Sequence, residues 1–477
     1  MTLSPSRFPW APWATALVLV AGCAVGPDYK RPAVETPAAF SESAGWKVAQ
    51  PKDALPKEGW WKVFHDPALD ALEDQAMAAS PTLQAALARF DQALAAARVS
   101  RAALVPSLSA NANAYRERYS AHRQAEYPAT TFSYTTNSFD LPLALSYEVD
   151  LFGAVRRAAQ GAQALAEAQG AAYENVRLTL QAGVAQNYFT LRSLVSQRDL
   201  LARNATLLGQ ALDLVRKLRA GGANSDLDLF QAESELATVQ ASEIAEERAI
   251  AQQLHALAVL VGRNPEGFRV DAPPIDGVVP EVPLGLPSDL LERRPDVASA
   301  ERTLAAANAQ IGVAKAAFFP SIGLTGFAGV NSRDLSNLLT WGSREWAVAP
   351  SVNLPLFNGG ASLANYRGAQ AAYQQAIANY RQQVLVAFQD VEDSLSDLRL
   401  LSGEAEALGR AADTARNAAR LSLARYKAGL VSYLEVIDSQ RTQLQAEISL
   451  TQAQSERMVG TVLLVRALGG GWPAGAP

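Results

Sequence analysis

The sequence predicts a mainly α-helical protein with a small β part, built as an internal two-fold duplication. Three observations carry that prediction. The order of sequence patterns occurs twice along the chain. Two segments, about 154–218 and 361–426, hold a helical pattern with no proline to interrupt it. Two short segments alternate apolar and polar residues over a length that suffices to cross a bilayer.

Composition narrows the class. Of the 477 residues 49% are apolar and 19% charged, enough for a large buried core and too apolar for a disordered chain. The net charge is −5 and no basic block occurs, which excludes nucleic acid as an expected partner. A single cysteine precludes an internal disulfide, and with only three histidines no metal site is expected. A mean hydropathy of −0.02 is too polar for several membrane helices. Barrel strands, apolar on one face only, remain compatible with it.

At the N-terminus Arg7 precedes an apolar run from Trp10 to Ala21. The run is shorter than the ~20 residues of a membrane helix and fits a signal peptide over residues 1–22. It ends in Val20-Ala21-Gly22-Cys23, which resembles the bacterial lipobox, with Val where Leu is commoner. A covalent lipid (palmitate) on Cys23 is therefore expected, and no other cofactor. Ala24, in place of Asp, favours the outer membrane by the same resemblance. Residues 23–65 are read as lipid anchor and extended tether, rich in Pro and Gly. Trp60, Trp61 and Phe64 are expected to dock that tether on the body.

The body is one unit written twice. Ala102-Ala103-Leu104-Val105-Pro106-Ser107 matches Ala316-Ala317-Phe318-Phe319-Pro320-Ser321, and Gly222 matches Gly429. The first repeat is placed at 66–265. It comprises a helix at about 67–104, strands at about 106–118 and 135–150, a long helix at about 154–218 and a last helix at about 225–262. A linker at 266–287 leads to the second repeat at 288–468. There the helix is at about 288–317, the strands at about 320–331 and 345–357, the long helix at about 361–426 and the last helix at about 433–467. A tail follows at 469–477. The first copy carries a polar insertion between about 118 and 138. Leu194, Leu201, Leu208 and Val215 recur every seventh residue, the spacing of coiled-coil packing. About 65 residues of helix would reach roughly 95–100 Å.

The strands bear most on class. Phe139, Leu141, Leu143, Leu145, Tyr147 and Val149 alternate with polar or small residues. Trp346, Val348, Val352 and Leu354 do the same in the second half. A soluble sheet with one face on a core would alternate likewise. The lipid anchor, and the presence of only four strands among very long helices, favour the membrane. Four strands cannot close a barrel, and an open edge is not tolerated in lipid, so insertion forces oligomerisation. Three chains would supply about twelve strands.

Several motifs together resemble the outer membrane factor family of TolC-like channels, and within it the NodT-type efflux lipoproteins. They are Gly26-Pro27-Asp28-Tyr29-Lys30-Arg31-Pro32, Trp60-Trp61 with Asp66-Pro67, and Arg293-Arg294-Pro295-Asp296-Val297. Further ones are Phe319-Pro320-Ser321, Leu354-Pro355-Leu356-Phe357, Tyr426-Lys427-Ala428-Gly429 and Tyr433-Leu434-Glu435-Val436-Ile437-Asp438. The resemblance implies a homotrimer with a twelve-stranded outer-membrane β-barrel above a long α-helical periplasmic barrel. It implies an outer-membrane exit duct of a tripartite efflux system. The implied partners are outer-membrane lipid, a periplasmic adaptor and an inner-membrane pump of the RND type. An apolar ring and an acidic ring narrow the periplasmic mouth in the family, and Leu434 and Asp438 occupy the matching positions. Glu435 and Tyr426 match positions of a gate network. Where some members have a gate arginine, this chain has Val431, so a charged lock of that kind is not expected. The turns Ala220-Gly221-Gly222 and Ala428-Gly429-Leu430-Val431-Ser432 are the expected adaptor contacts. Helix termination alone would also account for these turns, and a capping role would account for Asp438.

Two other classes fit parts of the sequence. A periplasmic coiled-coil scaffold or adaptor lipoprotein would share the heptads but would lack lipid-facing strands. A duct for protein secretion would share the fold. No nucleophile–base pair, metal spacing or phosphate motif points to an enzyme.

Overall fold

The computed structural model describes residues 24–34, 37, 40–41, 59–122, 132–222, 224–275, 279–280 and 293–470. The expected signal peptide, Cys23, most of the tail and part of the linker lie outside them. In chain order the elements are α1 (Pro67–Ala79), α2 (Pro81–Ala102), β1 (Ser107–Ala110), β2 (Asn113–Tyr119) and β3 (Tyr134–Val149). There follow α3 (Ala154–Ala220), α4 (Asp226–Leu260), α5 (Pro295–Ala316), β4 (Ser321–Ser332), β5 (Arg344–Asn353), α6 (Ala361–Lys427) and α7 (Tyr433–Ala467). The long helices α3 and α6 each have 67 residues, and the last helices α4 and α7 each have 35, so the two copies keep the same lengths.

The chain forms two compact units, and neither is a sequence repeat. One unit draws on Met1–Pro32, Phe90–Gln169 and Ala300–Tyr380; the other on Ala33–Arg89, Gly170–Ser299 and Arg381–Pro477. The reason lies in the connections. Strands of both repeats pair in one sheet, and α3 and α6 each contribute to both units.

The first unit holds an antiparallel sheet in which β3 and β4 are central, β5 is one edge, and β1 with β2 is the other. The single strand expected at 106–118 is two strands. Both pair with β3 in one register, Leu108 opposite Leu145 and Ala114 opposite Phe139. The gap at 111–112 faces Pro142. Asn111 donates its backbone N–H to the Pro142 carbonyl at 3.1 Å, but proline has no N–H to return. The last strand ends at Asn353 rather than near 357, just before Pro355. Gly329 lies opposite Pro142, where a Cβ would stand 2.5 Å from the Leu141 carbonyl oxygen, so only glycine lets the strands meet.

The pairing keeps one face apolar. Phe139, Leu141, Leu143, Leu145, Tyr147 and Val149 share a face with Val330 of β4 and Trp346 and Val348 of β5. That face is bare: Leu143 is 50% and Trp346 77% exposed. An uncovered apolar sheet face in water is disfavoured, whereas lipid suits it. Where helix passes into strand, Phe319 stacks on Phe152 at 4.8 Å and Phe318 meets Tyr366 edge-on at 6.0 Å.

The described start of the tether belongs to this unit. Val25 N–H donates to the Phe152 carbonyl at 3.0 Å, Asp28 pairs with Arg157 at 2.8 Å, and Tyr29 donates to Glu301 at 2.8 Å. Arg31 donates to the Tyr380 hydroxyl at 3.1 Å. Gly26 crosses Gly312 so closely that a Cβ would stand 2.6 Å from the Gly312 Cα. Gly26, Asp28, Tyr29 and Arg31 of the Gly26–Pro32 motif are thus a clasp.

The second unit is helical. Its core gathers Trp60, Leu69, Tyr188, Phe189, Leu191 and Leu257, each no more than 1% exposed. Asp66 caps α1 by accepting from Ala68 N–H at 3.0 Å and Leu69 N–H at 3.3 Å, with Pro67 at the first helical position. Its other oxygen accepts from Tyr188 at 2.8 Å and Arg192 at 3.1 Å. Burial, and then the Asp66 carboxylate, push the Tyr188 hydroxyl up. The helix expected at 67–104 is broken here: α1 stops at Ala79 and α2 begins after Ser80, at Pro81. Arg294 donates to Asp296 at 2.6 Å, to Asp390 at 2.8 Å and to the Ala467 carbonyl at 3.1 Å. Burial would raise the Asp296 carboxyl, but Arg294 overrides it and holds the group below its ordinary value. Leu201, Leu208 and Val215 of the heptad series are buried; Leu194 is half-buried.

Candidate functional site

The candidate site lies within the second unit, where α3 turns into α4 and α6 turns into α7. Both long helices end in glycine because the chain must take a positive φ to turn back: Gly222 has φ 76° and Gly429 φ 71°. At the second turn Leu430 N–H reaches back to the Arg425 carbonyl at 2.9 Å, closing the last turn of α6. Ala220, Gly221, Gly222, Ala428, Gly429, Leu430 and Ser432 are exposed, and Val431 is half-buried.

The register of α7 decides what its first turns present. Tyr433, Val436, Ile437 and Gln440 face inward and are buried. Leu434, Glu435 and Asp438 face outward; Leu434 is 48% exposed. Leu434 and Asp438 are four residues apart and so share a face of the helix. An apolar side chain and a carboxylate thus project side by side, uncovered by their own chain. Glu435 stands in the first turn of α7, where the helix dipole favours an acid. No ion pair or hydrogen bond of the Glu435 side chain occurs among the described residues.

Tyr426 is the expected residue that the structure ties to a partner. Its hydroxyl accepts from Asn224 Nδ2 at 2.8 Å, which joins the two turns. Its ring lies 5.3 Å from that of Tyr433. Burial, with lesser contributions from Tyr426 and Glu235, pushes the Tyr433 hydroxyl up to about 12.

Three charged ties and one polar tie were not expected from the sequence. Arg441 of α7 donates to Glu235 of α4, from Nε at 2.7 Å and again from Nη2. Arg216 pairs with Glu233 at 2.9 Å and Arg219 with Asp226 at 2.5 Å, each linking α3 to α4. Asn224 was missed with them. One signal was present: Glu235 falls on the buried stripe of Leu229, Ala232 and Val239, and a charge on such a stripe demands a partner. The Arg441–Glu235 pair ties α7 to α4 within the chain.

What the tips present is an exposed apolar side chain, Leu434, beside exposed carboxylates at Glu435 and Asp438. No cluster of potential metal ligands occurs among the described residues. The family model described as outer membrane efflux protein matches residues 72–263 and 286–470. The chain belongs to the outer membrane efflux protein family. It is the outer-membrane exit duct of an efflux system and not an enzyme. Toluene efflux pump outer membrane protein TtgC of Pseudomonas putida is 32% identical over 96% of this chain and 95% of its own length. Cation efflux system protein CusC of Escherichia coli is 31% identical over 98% of this chain and 100% of its own. The crystal structure of the open state of the MtrE outer membrane channel of Neisseria gonorrhoeae is similar at a TM-score of 0.81. It shares 32% identity with this chain and covers 94% of it and 98% of MtrE.

Proposed function

We propose that three copies of this chain close a twelve-stranded barrel and carry small toxic molecules out of the cell. In this reading an inner-membrane pump of the RND type and a periplasmic adaptor deliver the cargo. The observation that carries it is the sheet: its apolar face is bare, and both of its edges, β1–β2 and β5, are open. Lipid removes the cost of the face, and pairing between copies removes the cost of the edges. Neither a scaffold nor a secretion duct is favoured by any particular observation. The range of cargo named for the relatives, toluene for TtgC and cations for CusC, supports a duct that leaves selection to the pump.

Three finer assignments belong to the same reading. Leu434 and Asp438 form stacked apolar and acidic rings at the periplasmic mouth. Three carboxylates converging there would favour cations. The exposed turns at 220–222 and 428–432 meet the adaptor. Cys23 carries the lipid, and the clasp at residues 25–31 holds that anchor beside the sheet.

The test is planar-bilayer conductance of the purified, lipidated protein, with its mass in detergent measured alongside. A trimer with a small cation-selective conductance is expected. A monomer, or inserted protein that never conducts, would return the scaffold to first place.

A further inference from the structure

The sheet sorts its charges by face. Arg116 lies opposite Asn137 and Arg118 opposite Thr135, which puts both on the apolar face, just past Phe139. Arg344 opens β5 opposite Val330 on that same face, with Trp346 next along it. All three arginines are exposed. Every carboxylate in the described ladders, Glu117, Asp140, Glu148 and Glu345, stands on the opposite face.

Their level follows from the strand. Phe139 to Val149 spans about 34 Å at ~3.4 Å per residue. Tilted by ~40°, that is about 25 Å of height, the height of the apolar band of an outer-membrane barrel. The arginines are at the hairpin ends of the strands, whereas helices α2, α3, α5 and α6 join the other ends. Beyond the band the lipid-facing surface meets headgroups. A guanidinium there, with no carboxylate on its own face of the described ladders, matches phosphate, which it binds in a two-pronged fork. Existing contacts leave room for this. Arg118 reaches Ser133 Oγ only at 3.5 Å, and Arg344 donates through Nε to the Trp341 carbonyl at 3.3 Å while lying over the Trp341 ring. Trp341 is 84% exposed, an interfacial aromatic beside a cation.

We propose that Arg116, Arg118 and Arg344 form a docking edge for the phosphates of a phosphorylated glycolipid in the outer leaflet. The edge rests on the reading above, that the sheet spans the membrane with the helices on the periplasmic side. The lipid's acyl chains lie along the apolar face while its phosphates meet the arginines.

The test titrates the full-length lipidated protein in detergent with bis-phosphorylated lipid A and reads binding by native mass spectrometry. Mono-phosphorylated lipid A and phosphatidylglycerol serve as comparators. Bis-phosphorylated lipid A is expected to bind tightest. The triple variant Arg116→Gln/Arg118→Gln/Arg344→Gln is expected to bind it roughly tenfold more weakly. The corresponding Lys variant, which keeps charge but loses the fork, should fall between them. Glu117→Gln, on the other face, should bind as wild type does. Equal binding by the wild type and the Gln variant would overturn the proposal, as would equal affinity for phosphatidylglycerol. A change in oligomeric state with lipid binding unchanged would also overturn it and give the arginines to contacts between copies. Conductance recorded on the same samples separates the two layers. Protein that conducts but ignores lipid A sinks this docking edge alone, while protein that never enters a bilayer sinks the reading beneath it.

Discussion

The two hairpin turns of the helical unit differ in how they hold their second helix. In the first, Ser225 accepts from Asp228 N–H at 3.2 Å and Asp228 accepts from Ser225 N–H at 3.1 Å, a reciprocal capping box. In the second, Ser432 stands at the same place and its side chain makes no capping bond. There the start of α7 is held by Tyr433, 1% exposed and packed against Tyr426. The matching positions differ too: Leu227 and Gln231 in the first copy, Leu434 and Asp438 in the second. A duplicated design thus gives one hairpin a polar cap with the neutral Gln231, and the other a packed tyrosine pair with the acidic Asp438. In the proposed reading the second is the one that narrows the pore.

That contrast can be broken or sharpened in steps. The largest effect is expected from Arg441→Ala, which leaves Glu235, 4% exposed, charged and unpaired inside the bundle. The cost should be about 2 kcal/mol, below that of a fully buried pair because Arg441 itself reaches water. A lower melting temperature and faster amide exchange in both α4 and α7 would show it. Next, Ser225→Ala should cost about 1 kcal/mol, seen as roughly fivefold faster exchange in the first turn of α4. Ser432→Ala should leave the start of α7 unchanged, because no bond is lost there. Equal effects at the two serines would erase the distinction.

Tyr426→Phe removes the acceptor of Asn224 and should loosen the second turn by about 1 kcal/mol or less. A rise in open-channel noise without loss of assembly is the expected signature. The effect that is smallest at neutral pH concerns titration. The Tyr433 hydroxyl is pushed up to about 12 by burial, whereas an unfolded tyrosine titrates near ~10. The folded form therefore holds its proton longer, and stability falls as pH rises from ~10 toward that value. Tyr433→Phe should flatten the alkaline part of the melting-temperature profile and leave neutral pH almost unaffected.

Much of the helical fold was legible because its signals are local. Proline-free runs and the heptad of Leu201, Leu208 and Val215 depend on neighbours within a few turns. The break at 111–112 was not legible, since it depends on Pro142 standing across the ladder. Pro81 did mark a helix start, but the apolar pattern on either side hid it. In the candidate site, the shared face of Leu434 and Asp438 follows from spacing alone. The ties of Asn224 to Tyr426 and of Glu235 to Arg441 join residues 202 and 206 positions apart, which no local pattern encodes. Only the charge on a buried stripe at Glu235 hinted at one of them.

The most direct measurement compares the two hairpins. Leu434→Ala/Asp438→Ala and Leu227→Ala/Gln231→Ala are each recorded in planar bilayers beside wild type. If the second hairpin forms the constriction, the first of these variants raises conductance and loses cation preference while the second matches wild type. Equal changes in both, or no change in either, would contradict a constriction at Leu434 and Asp438.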